Sequence, residues 1–320
     1  MSPDPTEVGK TSAVAATLEN LLRGLRSVIK GKDEFLKLLV ATFVAGGHAL
    51  IEDAPGLGKT TVARTLAMLV GGARFKRIQF TPDLLPYDIT GVDVFDPKTT
   101  EFVFRPGPIF ADIVLADEIN RSTPKVQSAL LEVMAESQVT VGTSTHLLGP
   151  LFFVIATQNP IEIEGTYPLP VAQIDRFMTR LRLGYPDEQT ELEIVRGDPS
   201  HRVMPGLQPV CTMEEVVAAH ERAERVHCEE QLMAAAVRAC RETRDHRGVE
   251  FGASPRGALM LVAASRAHAL LCGRDYCSDT DFLALAPAVI AHRLKLRDHR
   301  ISAETLAREL MARELDRLGY

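Results

Sequence analysis

The sequence predicts an α/β core built on a parallel sheet and followed by an all-helical domain. Near-continuous apolar runs at Phe75 to Gln79, Ile113 to Asp117 and Leu151 to Thr157 read as strands buried on both faces. A glycine-rich turn joins a short strand, His48 to Glu52, to a helix from Lys59 to Leu69. Beyond Asp187 the strand signals vanish and only helical periodicity remains.

Along the chain, residues 1 to 16 are small and polar and are expected to be flexible. Leu18, Leu21, Leu22, Leu25, Val28 and Ile29 recur at helical spacing and place one apolar face before Gly31. A second helix runs from Asp33 to Ala45, and a third from Thr123 to Ala135 separates the last two core strands. Two stretches read as hairpins: 92–104, turning at Asp96 to Thr99, and Gln138 to Val141 with Thr145 to Leu148. The core is expected to span 17–186 and the helical domain 187–320. Its helices are expected at Glu188 to Arg196, Met213 to Arg225, Glu230 to Arg244, Ser254 to Leu271, Asp279 to Leu296 and Ala303 to Leu315.

Composition narrows the function. The chain of 320 residues is 46% hydrophobic and 24% charged, which excludes disorder as its main state. Apolar runs such as Leu36 to Ala45 fall short of the roughly 20 residues a spanning helix needs, so no membrane insertion is expected. Met1 to Lys10 lacks the basic and apolar regions of a secretory signal, and a cytoplasmic location is expected. Five cysteines without a CxxC pair argue against a disulfide framework or a zinc knuckle. Residues 1–186 carry 18 Lys and Arg against 20 Asp and Glu, and residues 187–320 carry 18 against 22. Neither half has the basic excess of a protein that grips nucleic acid through its phosphates.

The chemistry concentrates between the first strand and its helix, in Asp53-Ala-Pro55-Gly56-Leu57-Gly58-Lys59-Thr60-Thr61. Gly56 and Gly58 allow backbone N–H groups to turn inward on a polyphosphate, and Lys59 can reach its outer phosphates. Thr60 can bind Mg²⁺ at the helix start. The usual phosphate-loop pattern has Gly where this chain has Asp53. A second signal is the strand ending in Asp117 and Glu118, where Asp117 can hold the Mg²⁺ shell and Glu118 can polarise the attacking water. Asn159, after the third strand, can sense the γ-phosphate or hold the water, although an Asn before Pro is also a turn former. Arg176 and Arg256 stand where helices end or begin, and taken singly either is an ordinary surface arginine. Phe102, Phe104 and Phe110 fit either a substrate-gripping loop or a hairpin packed on the core. His220, Glu221 and Glu224, with His227, Glu229 and Glu230, read as solvated helix faces rather than metal ligands, because HExxH is absent.

From about Val28 to Ala264 the chain resembles the MoxR family of AAA+ ATPases. The resemblance lies in the segments Arg77 to Gly91, Leu115 to Arg121, Gln127 to Glu132, Ala156 to Pro160 and Glu164 to Pro170. It implies a P-loop NTPase core with an insert in the second helix, the hairpin at 92–104, and a helical lid. Members commonly have an acidic stretch and ProGly in place of the first loop Gly, which accommodates Asp53. It further implies ATP and Mg²⁺ as cofactors, Asn159 as first sensor, Arg256 as second sensor and Arg176 as an arginine finger serving a neighbouring subunit. Ile29 and Gly31 match the adenine contact, although Lys30 and Lys32 depart from the usual residues there, and Val171 stands where members usually have Glu.

The implied protein is an ATPase in a ring of six that remodels, matures or activates partner protein complexes, including one bearing a von Willebrand factor A domain. Two alternatives use the same residues: a nucleic-acid-stimulated motor and a slow ATP-dependent switch. Asp93, Asp96 and Glu101 against Lys98 alone in the hairpin weigh against the motor.

Overall fold

A five-stranded parallel sheet positions everything else. The computed structural model describes residues 5–160, 165–297 and 300–319. The strands lie in the order Thr179–Leu181, Ala49–Glu52, Phe153–Gln158, Ile113–Asp117, Phe75–Gln79. Successive side chains alternate between the two faces. Ala49, Ile51, Ile113, Leu115, Phe153 and Ile155 enter one buried cluster, while Leu50, Val114, Ala116, Val154 and Ala156 enter the other. Burial on both faces is the reason Ile113–Asp117 and Phe153–Gln158 read as apolar runs, whereas Phe75–Gln79, expected to be buried likewise, is an edge strand that leaves Lys76 and Arg77 exposed.

The first face is covered by the helices Pro5–Val28, Asp33–Val44 and Lys59–Leu69. The first helix reaches back to Pro5, so the flexible segment expected over 1–16 is helical from residue 5, and residues 1–4 lie outside the described residues. Ala13, Ala15 and Ala16 favour helix, and Val14 packs against the core. The second face is covered by Pro124–Glu136 and by the hairpin that begins at Gln138, through Val139, Val141 and Leu148, whereas the hairpin Gly91–Pro106 stands largely exposed. Gly91–Asp96 pairs with Glu101–Pro106, and Gln138–Val141 with Ser144–Leu147, as the sequence predicts within a residue or two.

The second half forms the expected lid, with helices Glu188–Gly197, Met213–Glu224, Glu230–Asp245, Pro255–Leu271, Asp279–Ile290 and Ala303–Asp316. Its buried residues, among them Leu261, Ala264 and Leu285, continue the cluster on the first sheet face. Three details differ from the expectation. The helix expected to reach Leu296 ends at Ile290, after Pro287 has removed a backbone donor. Lys295–Leu296 then pairs antiparallel with Val249–Phe251, and Cys211–Thr212 pairs parallel with Val70–Gly71, so the lid region is not wholly helical. The edge strand Thr179–Leu181 has only three residues, one of them Arg180, too few for an apolar run to register.

All five cysteines are free, and Cys272 is the exposed one. Among the described residues no helix is long and apolar enough to cross a membrane, and no cluster of three or more His, Cys, Asp or Glu could hold a metal.

His48, 7% exposed, ties the two faces together just before the first strand. Its Nδ1 accepts from the Val154 amide at 3.1 Å, and its Nε2–H donates to the Met134 carbonyl at 3.2 Å. Burial lowers its pKa to about 4, against a smaller upward pull from that carbonyl. Because the folded value lies below the unfolded one near 6.5, the neutral ring stabilises the fold above pH 6.5, and that stability drains as pH falls toward 4. Denaturant titrations should lose about 3 kcal/mol across that window, and His48→Gln should flatten the dependence while lowering stability at pH 7.

Candidate functional site

Parallel strands all end on one side, and here the C-terminal ends carry the polar residues. Gln79 lies beside Asp117, Thr157 beside Ile51 and Gln158 beside Glu52, so one edge collects the groups the sequence singles out. The loop after Glu52 completes it. Gly56 and Gly58 have φ of 84° and 86°, and a Cβ at either would meet no heavy atom within 4 Å. The left-handed backbone therefore requires glycine, and both glycines face open space. The helix that follows has no side-chain N-cap and no acid in its first turn, leaving its N–H groups and dipole for an anion.

Lys59 donates to the Asp53 carbonyl at 2.6 Å. Burial pulls its ammonium below the ordinary lysine value, and Asp53, Asp117 and Glu118 pull it back up. The Asp53 carboxylate plays a structural part, accepting from the Leu183 amide and, at 3.3 Å, from the Gly184 amide. This is the physical answer to the missing first glycine, since the acid anchors the loop to the segment beyond the edge strand.

The two acids are tightly defined. Asp117 accepts from the Thr157 hydroxyl at 2.6 Å and from Arg77 at 2.7 and 3.0 Å. The Thr157 hydroxyl, fully buried, in turn accepts from the Glu118 amide at 2.9 Å. Glu118 has φ of 56°, a left-handed conformation that costs about 1 kcal/mol or more for a non-glycine residue. Its carboxylate accepts from Gln79 at 2.7 Å and Arg121 at 3.2 Å. Asn159 is 9% exposed, and its carbonyl accepts from Asn120 at 3.4 Å. Gln127, buried, ties the Ile119, Ser122 and Tyr167 carbonyls together beneath these residues.

A cleft of about 450 Å³ runs from this loop to the lid, lined by Ile29, Gly56, Leu57, Gly58 and Thr61, by Leu183 to Pro186 and by Ile194 and Val195. Gly31 does not line it: its backbone has φ of 65°, and a Cβ there would meet Thr190 at 2.8 Å at the start of the lid. Pro55, Lys59 and Thr60 belong to the loop without lining that cleft. A larger apolar groove, about 890 Å³, lies among the lid helices and holds none of these groups. Arg176 and Arg256 stand apart from the cleft. Arg176 donates to the Leu131 carbonyl at 2.5 Å, and Arg256 is exposed in the first turn of its helix.

Arg77, Gln79 and Thr157 carry no mark in the sequence pattern. Each earns its place through a partner some 40 residues away, which no local pattern reveals. Phe104 stacks on His146 at 3.8 Å and meets Phe110 edge-on at 5.5 Å, whereas Phe102 is 72% exposed and meets Phe95 edge-on at 5.5 Å.

A nucleotide loop at the edge of a parallel sheet, an acidic strand end and a helical lid define a P-loop ATPase. Residues 48–179 match the ATPase family associated with various cellular activities (AAA), and residues 241–312 match the AAA lid domain. The chain is 46% identical to the uncharacterized protein YeaC of Bacillus subtilis, over 90% of this chain and 91% of that one. It is 40% identical to chaperone MoxR1 of Mycobacterium tuberculosis, over 89% and 77% respectively. A crystal structure described as a putative ATPase from Cytophaga hutchinsonii superposes with a TM-score of 0.87 at 35% identity, over 96% of both chains. The chain belongs to the MoxR family of AAA+ ATPases.

Asp53→Ala should leave the Leu183 and Gly184 amides without their carboxylate and lower unfolding free energy by about 2 kcal/mol, read by denaturant titration.

Proposed function

We propose that this ATPase uses Mg²⁺-ATP and couples its hydrolysis to chaperone-like remodelling or maturation of partner protein complexes. One observation carries the nucleotide assignment: the glycine cradle, open where a Cβ would sit, lies over a lysine whose only hydrogen bond among the described residues is to a backbone carbonyl.

Backbone N–H groups from Gly56 to Thr61 and the Lys59 ammonium bind the phosphates. Ile29 serves the base, Gly31 turns the chain behind it against Thr190, and Pro55, Leu57 and Thr61 shape the loop. Thr60 and Asp117 would hold the Mg²⁺, which when bound supplies neutralising charge to the phosphate oxygens. Both Asp117 oxygens already accept hydrogen bonds, so its part is to orient the shell. Glu118 orients and polarises the attacking water once its carboxylate leaves Gln79 and Arg121. Asn159 assists from the neighbouring strand end, and Arg256 reaches the phosphates from the lid.

Arg176 serves a neighbouring copy. Its place inside the segment that matches the AAA family supports this reading, and an arginine supplied across a boundary contributes about 10³ to 10⁵ in rate where measured. The assembly is then a ring, of six copies in our reading, working in the cytoplasm. The name of the mycobacterial relative, a chaperone, supports the remodelling role, and a protein bearing a von Willebrand factor A domain is the partner we put forward. The hairpin presents Phe95 and Phe102, 50% and 72% exposed, as the surface for such a client.

The two halves of the chemistry separate in two variants. Lys59→Ala should weaken nucleotide binding by roughly 100-fold, read with a fluorescent ATP analogue. Glu118→Gln should keep that binding and lose turnover by roughly 100-fold or more. Tight binding by the first, or full hydrolysis by the second, would overturn the assignment. Client remodelling by Glu118→Gln at the wild-type rate would favour a slow switch over a remodeller.

A further inference from the structure

Arg293 is 1% exposed, an unusual place for a guanidinium, and its bonds go to one short segment, to the helix turn that carries it and, at 2.7 Å, to the Met260 sulfur on the helix Pro255–Leu271. Its Nε donates to Asp175 Oδ1 at 2.8 Å, and its Nη2 to the carbonyls of Asp175 at 3.1 Å and Phe177 at 2.8 Å. Nη1 is held by the Val289 carbonyl. The segment thus clamped from the lid flanks Arg176 on both sides.

A second tie reaches the same carboxylate. Ser254 occupies the N-cap position of the helix Pro255–Leu271, where a serine hydroxyl ordinarily accepts from its own helix. Here it makes no such cap, and instead donates to both Asp175 oxygens at 3.0 and 3.1 Å. The helix lies close on the clamp, since a Cβ at Gly257 would meet Arg293 Cδ at 3.1 Å. Arg256 stands two residues beyond Ser254. One carboxylate therefore lies between the arginine assigned to the neighbour's phosphates and the helix that carries the arginine assigned to the chain's own.

We propose that Asp175, Ser254 and Arg293 are positioning residues that couple the lid of one subunit to the arginine it offers the next. A lid that moves with its own nucleotide carries Ser254 and Arg293 with it, and through Asp175 resets the turn holding Arg176. The forfeited cap is the cost of this link, and a hydroxyl bonded to a carboxylate returns more than one bonded to an amide. The inference rests on the proposed role of Arg176.

Ser254→Ala tests it with the least risk to folding, because Arg293 still neutralises Asp175. In single-turnover ATPase assays it should lower the hydrolysis rate about tenfold, with nucleotide affinity and thermal midpoint nearly unchanged, and Ser254→Thr should restore most of the rate. In an Arg176→Ala background the same change should cost less than twofold, because the two substitutions disable one device. An unchanged rate in Ser254→Ala, or the full tenfold loss in the Arg176→Ala background, would overturn the coupling and leave the role of Arg176 intact. Wild-type turnover by Arg176→Ala alone would overturn both.

Discussion

A single buried hydroxyl, that of Thr157, fixes the relation between the two acids at the end of the central strand, Asp117 and Glu118. It donates to Asp117 and accepts from the amide of Glu118, so one oxygen sets the carboxylate of the first and the backbone of the second. The left-handed φ at Glu118 persists because this bond and the carboxylate's own partners over-determine it. The hydroxyl can do this only if its strand lies beside the acidic strand in the observed register, with Ala116 opposite Ala156. Sheet order, burial of both faces and the position of the acids are one constraint seen at three scales.

The loop obeys the same economy. Glycine at 56 and 58 leaves the phosphate side open, while Asp53 faces the other way and grips the chain past the edge strand. The segment it grips, around Leu183 to Pro186, lines the cleft and leads directly into the first lid helix. The phosphate loop and the lid are thus joined by a carboxylate that the loop pattern alone makes look misplaced. Just before the edge strand, Asp175 makes the equivalent junction to Arg293 and Ser254. Two acids at the two ends of the edge-strand segment connect the sheet to the lid.

Much of this is legible in the sequence, for identifiable reasons. Strands such as Ile113–Asp117 announce themselves because burial on both faces removes polar alternation, and the phosphate loop does so because only glycine supplies the backbone it needs. What stays hidden depends on partners distant in the chain. Arg180 interrupts its strand because it pairs with Glu304, over a hundred residues away. The helix after Asp279 stops early to deliver Arg293 to Asp175, and its apolar periodicity gives no hint of that destination. The first helix extends to Pro5 although only the part from Leu18 carries a full apolar stripe.

If, as we propose, Arg176 completes the site of a neighbouring copy, the decisive measurement is the ATPase rate per subunit against protein concentration, with Mg²⁺ and with the same samples sized. A shared site gives a rate that climbs and saturates as the assembly forms, or a constant high rate from a ring that never dissociates. A constant, undiminished rate from a sized monomer would contradict it, because Arg176 would then have no neighbour to serve.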